Sequence, residues 1–284
     1  MKSSLLLSVA LPCIALSAPV ALAQEETPLR QQTVIVSLPG PQRDADELIG
    51  NATSMDRDDI IENLSASLGD TLDREPGVSS TFFGAGASRP VLRGLGAERV
   101  LVLTNGIGAI DVSAASPDHQ VAADGIDAEK IEILRGPAAL AYGGQAIGGV
   151  VNVIDGLISE TLPTSPLSGE AYAAYDSVFD GPEAGAKIKA SAGQFVFAAS
   201  ASMRDFNAYD IPGSAESDQF HALEEAESHD HEEEEGNGTL PNSFVETGTL
   251  AGGISWVGDT SFLGLPANLD LWPARSRGTW RGRA

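Results

Sequence analysis

The spacing of apolar and polar positions changes along this chain. Between Ser54 and Val78, Ile60, Ile61, Leu64, Leu68 and Leu72 recur at helical spacing, with Asp59, Asp70 and Asp73 on the solvated face. Ser54 is placed as the N-cap, acids fill the first turn, and Pro76-Gly77 stops the run. "RPVLRGLG" and "RVLVLTNGI" follow as strands, with Asn105-Gly106 as a hairpin turn. "EKIEILRGPAALAYGGQAIGGVVNVID" predicts a strand, a Gly-Pro break, a short helix around Ala138–Tyr142, a glycine-rich bend and a strand over Gly149–Ile154. Residues 54–161 thus form an α/β unit.

Beyond the linker "LPTSPLSG" the period becomes two. In "AGAKIKASAG", Lys187 and Lys189 share one face while Ile188, Ala190 and Ala192 share the other. In "FVFAASASMRDFNAYD", Phe195, Phe197, Ala199, Ala201 and Met203 share a face. Strands of this length with an apolar outside suit a membrane β-barrel or a soluble sandwich, and periodicity does not separate the two. Upstream, "TVIVS" (Thr33, Val34, Ile35, Val36, Ser37) is a β-prone island in a polar arm over residues 24–53. It fits an edge strand or a strand donated to a partner's sheet.

Composition narrows the setting. Residues 1–23 carry one Lys, an apolar run and Ala21-Leu22-Ala23, which predicts a secretory signal cleaved after Ala23. Cys13, the chain's one cysteine, lies inside it, so the exported part has neither disulfides nor thiolate metal ligands. No run of apolar residues is long enough for a transmembrane helix. A formal charge of −23 argues against nucleic acid as a partner. Hydrolase, zinc-protease and nucleotide-loop motifs are absent, so no enzyme is expected.

The order of motifs is specific. "TVIVS" looks like a TonB box, and "LGDTLDREPGVSS", "RPVLRGLGAERVLVLTNGI" and above all "IEILRGPAALAYGGQAIGGVVNVI" resemble the plug domain of TonB-dependent outer-membrane receptors. The fold implied is an α+β plug domain followed by the start of an antiparallel transmembrane β-barrel, residues 168–265, that is incomplete. The resemblance implies the TonB energy-transducing protein as partner, outer-membrane lipid around the strands, and no required cofactor. Arg93, Gly94, Arg135, Gly136, Pro137, Tyr142, Gly143, Gly148 and Gly149 carry the plug motifs; the glycines permit tight bends, and Arg135 is placed to pair with acids on the barrel wall. Residues 266–284 hold four Arg in the last ten and no alternation, which predicts a shifted reading frame and a barrel too short to transport alone.

Counting strands outward from the plug puts residues 210–241 in a loop facing the medium. It contains "HALEEAESHDHEEEEGNG", with three of the four histidines, and Lys and Arg are absent from 205 to 274. Imidazole and carboxylate suit Zn²⁺: His229 and His231 share one side of an extended loop, while His221, Glu225 and His229 share one face of a helical one. Together with the plug pair Asp118 and His119, this resembles the zinc-receptor branch of the family. The expected cargo is therefore a divalent metal, zinc first. A siderophore or haem receptor and an exported metal-binding remnant are the alternatives.

Overall fold

The arm strand finds a partner in its own chain. In the computed structural model, β1 (Val34–Ile35) runs antiparallel to β2 (Arg43–Asp44), with Val34 opposite Asp44 and Ile35 opposite Arg43. The structure describes residues 34–35, 43–44, 52–108, 112–116, 119–121, 123–214, 217, 237–241 and 243–272. Thr33, Val36 and Ser37 lie outside these, as do Asp118, His221, Glu225, His229 and His231.

The next unit comprises β3 (Ala52–Asp56), α1 (Arg57–Asn63), α2 (Leu68–Thr71), β4 (Val78–Ser80), β5 (Pro90–Leu92), β6 (Val100–Thr104), β7 (Ile107–Gly108), β8 (Lys130–Leu134) and β9 (Gly149–Ile154). Five of these strands form one sheet in the order β3-β8-β9-β6-β7, antiparallel except for the parallel β6–β9 pair. Ile60, Leu68 and Leu72 pack with Ile131, Ile133, Val151 and Val153 on one side. Ala139 and Ala146, from 3-10 turns, cover Leu134 and Val150 on the other. Covered on both faces, β9 is a near-continuous apolar run, "GVVNVI". The β6–β7 turn has the predicted geometry: Asn105 and Gly106 have φ of 51° and 78°.

The helix expected from Ser54 is corrected in two ways. Ser54 belongs to β3, opposite Glu132 of β8, and Asp56 is the N-cap, accepting from the Asp59 amide. The helix also breaks after Asn63. Thr71 Oγ1 accepts from the Ser65 amide and donates to the Ser67 carbonyl, while Ser67 Oγ caps a second short helix at Asp70. These side-chain bonds offer the backbone an alternative to continuing the helix.

A second sheet follows, with β10 (Leu167–Asp176), β11 (Gly181–Ala192), β12 (Phe195–Phe206), β15 (Val245–Val257) and β16 (Phe262–Trp272) in the order β10-β11-β12-β15-β16, all antiparallel. Between β12 and β15, β13 (Asp210–Ser214) and β14 (Asn237–Thr239) pair as a ribbon, so the predicted outer loop has a strand-paired stem. The β10–β11 connection is short, since Gly181 already pairs with Asp176. The fifth strand runs past residue 265 to Trp272, with Pro266 opposite Gly253. β16 has no neighbour on its far side among the described residues, and such an edge tolerates a residue that cannot donate.

β12 alternates without exception: Val196, Ala198, Ser200, Ser202, Arg204 and Phe206 are buried, while Phe195, Phe197, Ala199, Ala201, Met203 and Asp205 are exposed. Cross-strand pairing extends the exposed face through Ile188, Leu250, Ile254, Leu263, Leu265 and Leu269. One face of this sheet is therefore apolar and open, and the other lies against the first unit through polar bonds. That pattern decides for a membrane barrel over a sandwich, whose inner face would be the apolar one.

Candidate functional site

Two-residue and four-residue turns, at Gly193-Gln194 and Gly258–Ser261, mark one end of the barrel sheet, and the long β12–β15 connection marks the other. Outer-membrane barrels keep short turns inside and long loops outside, so the second end is the outer one. Trp256, whose indole donates to Gln194 Oε1 at 3.2 Å, stands at the inner rim.

At the outer end the plug presents a rigid loop. The Thr81 amide donates to the Arg89 carbonyl at 3.0 Å, Phe83 to Ala87 at 3.2 Å, and Ala87 to Gly84 at 3.1 Å. These bonds fold "TFFGAGASR" into a tight apex that leaves Phe82 and Phe83 58% and 59% exposed. Ala85 anchors the loop in an apolar cluster with Ala66, Phe206 and Val245, packed by Phe179 and Tyr209. Phe179 stacks on Phe206 at 5.1 Å and meets Tyr209 edge-on at 5.5 Å. Gln120 Oε1 lies beside Gly86, which brings the loop holding His119 to the same end. His119 is exposed, and its amide donates to the Ser116 carbonyl.

Below the apex, plug and wall are joined by charged and polar groups. Arg57, at the start of α1, donates to Glu170 of β10 at 2.7 Å and to the carbonyls of Ile126 and Ala128, with its guanidinium 5.6 Å from the Tyr172 ring. Lys187 of β11 reaches the Asp127 and Asp155 carbonyls. Lys189 pairs with Glu129 at 2.5 Å. Arg204 of β12 donates to Asp124 and to the Ser65 and Ala66 carbonyls. One carboxylate oxygen of Asp127 accepts from Ser202 and Thr249. The plug segment 124–129 is thus bonded to three wall strands. Contacts of this kind part without exposing a large apolar surface.

Several residues of the plug motifs sit where the backbone bends or packs closely. Gly94, Gly136, Gly143 and Gly149 have positive φ, and Gly148 packs its backbone on the Arg99 carbonyl. Arg93 also has a positive φ, 52°. Pro137 opens the 3-10 turn that ends at Tyr142. Arg135 is 2% exposed and donates Nη1 to Thr53 Oγ1 at 3.2 Å, and among the described residues no wall acid bonds it. Burial lowers its pKa, with Glu75 raising it and Arg93 lowering it further.

No group of three or more His, Cys, Asp or Glu is placed to hold a metal among the described residues. Sequence reading passed over Phe82, Phe83, Arg57 and Arg204. For Arg204 a signal exists: it sits on the polar face of β12 and is the last cation before a stretch without Lys or Arg that ends at Arg275.

Comparison with known proteins agrees with this geometry. Residues 44–150 match the family model of the TonB-dependent Receptor Plug Domain. The chain is 33% identical over 156 residues to the Vitamin B12 transporter BtuB of Vibrio vulnificus (strain CMCP6), covering 54% of this chain and 25% of that protein. Among solved structures, it is similar to the ferric enterobactin receptor PfeA of Pseudomonas aeruginosa, with TM-score 0.56, 18% identity, 78% of this chain and 33% of the other. It is also similar to the siderophore receptor PirA of Acinetobacter baumannii, with TM-score 0.53, 18% identity, and 76% and 31% covered. The copper transporter OprC gives TM-score 0.53 at 16% identity, with 76% and 30% covered. The chain therefore spans about a quarter to a third of the length of these relatives. They are transporters and receptors, not enzymes. Residues 44–150 are thus similar to a TonB-dependent receptor plug domain, and the antiparallel strands that follow share the fold of the first barrel strands in these solved structures.

Proposed function

We propose that this chain supplies the plug and first wall strands of a receptor that takes up a metal chelate with an organic, ring-bearing ligand across the outer membrane, powered by the TonB partner acting on the arm at Val34–Ile35. The observation that carries the reading is the exposed pair Phe82 and Phe83 on a rigid apex at the outer end. Aromatic side chains on a pre-ordered loop recognise flat apolar groups at little entropic cost, whereas a bare hydrated ion gains nothing from them. The similar proteins named above for vitamin B12, enterobactin and siderophores point the same way.

A second reading, uptake of zinc or another divalent ion, is favoured by His119 standing exposed at the same end as the β13–β14 stem of the histidine-rich loop. Asp118, His221, Glu225, His229 and His231 would complete the donor set. Nitrogen and oxygen donors bind Cu²⁺ and Ni²⁺ as well, so zinc is one outcome among these.

Equilibrium binding of ferric enterobactin, cobalamin and free Zn²⁺ to the chain in detergent separates the readings. Loss of chelate binding in the Phe82→Ala, Phe83→Ala double variant supports the first. Chelate binding unchanged by it, with Zn²⁺ binding abolished by the joint change of His119, His221, His229 and His231 to Ala, replaces the first with the second.

A further inference from the structure

We propose that Arg204 is a release catch that fastens two separate plug segments to the barrel wall and can let go of both without being stranded. Its side chain is fully buried. Toward the plug it donates to Asp124 Oδ2 at 2.8 Å, to the Ala66 carbonyl at 3.1 Å and to the Ser65 carbonyl at 3.0 Å. Ser65-Ala66 and Asp124 lie far apart in sequence, and this one guanidinium bonds both. Toward the wall, Nε donates to Glu183 Oε2 at 3.0 Å, and Glu183 stands directly opposite Arg204 in the β11–β12 register. The Phe206 ring, 5.4 Å away, closes the outer side.

This arrangement differs from an ordinary interdomain ion pair. Removing one member of a buried pair leaves an uncompensated charge, which opposes separation. Here the counter-ion travels with the wall, so the plug departs from an already paired cation. Two of the three plug acceptors are neutral carbonyls that water can satisfy. Ala66 also belongs to the apolar cluster that anchors Ala85 of the apex, so a displacement of the apex reaches the catch through packed atoms. The inference stands whatever ligand the receptor takes.

Amide hydrogen exchange on the full chain in lipid nanodiscs tests it. In Asp124→Asn, exchange within 64–72 and 123–129 rises about ten-fold or more, the factor expected for losing one charge-assisted hydrogen bond, while β8, β9 and the wall strands keep their protection. Arg204→Lys, which keeps the charge and loses the fork, gives the same local rise. Unchanged exchange in both segments, or a rise spread evenly over the whole plug, overturns the proposal. Glu183→Gln adds a separate check: it loosens the wall partner, so protection falls in β11 and β12 as well as in the plug segments, and a fall confined to the plug counts against a wall-held cation.

Discussion

Asn105 and Asp155 bond each other twice: Asn105 Nδ2 donates to Asp155 Oδ2 at 2.8 Å, and the Asp155 amide donates to Asn105 Oδ1 at 3.2 Å. This exchange ties the β6–β7 turn to the end of β9, at the residue whose carbonyl also accepts from Lys187 of the wall. Asn105 holds the turn with a positive φ and makes the pair with its amide. Asn105→Gly keeps the turn and loses the pair; Asn105→Asp loses the donor and sets two carboxylates face to face. Urea unfolding is expected to show both variants destabilised, the second more, by about 1–3 kcal/mol. An Asn105→Gly variant as stable as the parent chain would mean that the turn, and not the pair, matters here.

The exposed face of β12 meets hydrocarbon in the membrane. Ala201 lies at mid-strand on that face, opposite Leu250. Ala201→Arg is expected to destabilise the inserted protein by about 2–4 kcal/mol, and Ala201→Leu to be neutral or better. Reversible unfolding from lipid vesicles measures both; a harmless arginine would mean that this face does not contact lipid.

Gly149 begins β9 with φ of 147°, and a Cβ there would lie 2.6 Å from the Leu134 carbonyl oxygen and collide with the Leu92 side chain. Gly149→Ala therefore combines backbone strain with overpacking at the centre of the plug. A loss of about 2–4 kcal/mol is expected. Protease digestion reads it as cleavage of the plug while the strand region survives.

Tyr142 has a buried hydroxyl without a hydrogen-bond partner among the described residues, and its pKa is raised by burial first and by the Glu132 charge second. The folded form thus holds the phenolic proton more tightly than the unfolded chain does. Its contribution is fully present below about pH 10, the unfolded value, and is lost as pH rises through the folded pKa. Tyr142→Phe is expected to flatten the alkaline fall in the urea midpoint relative to the parent chain. Parallel curves for the two would remove this residue from the pH response.

Much of the fold was legible because strong local signals coincide with tertiary demand. Gly149–Ile154 is apolar throughout since it is central and covered on both faces, and Asn105-Gly106 can adopt the turn that a tight hairpin needs. β3 was not legible: in "ATSMD" only Met55 is buried, and the strand exists because the exposed backbone edge of β8 accepts it. The break in the helix depends on Ser67 and Thr71 hydroxyls choosing backbone partners, a choice that helical periodicity does not register. At the site, the outward and inward faces of β12 were visible as alternation. The place of Arg204 on the inward face was visible too, but its partners were not, because they are carbonyls more than a hundred residues upstream.

The strict alternation of β12 has one more effect, on assembly. A slip of a single position against β11 or β15 would turn Arg204 toward acyl chains and press Met203 onto Asp124 and the Ser65 and Ala66 carbonyls. Each misaligned insertion is thus penalised on both surfaces at once, by oil on one side and by ungreeted dipoles on the other. The strand proofreads its own threading.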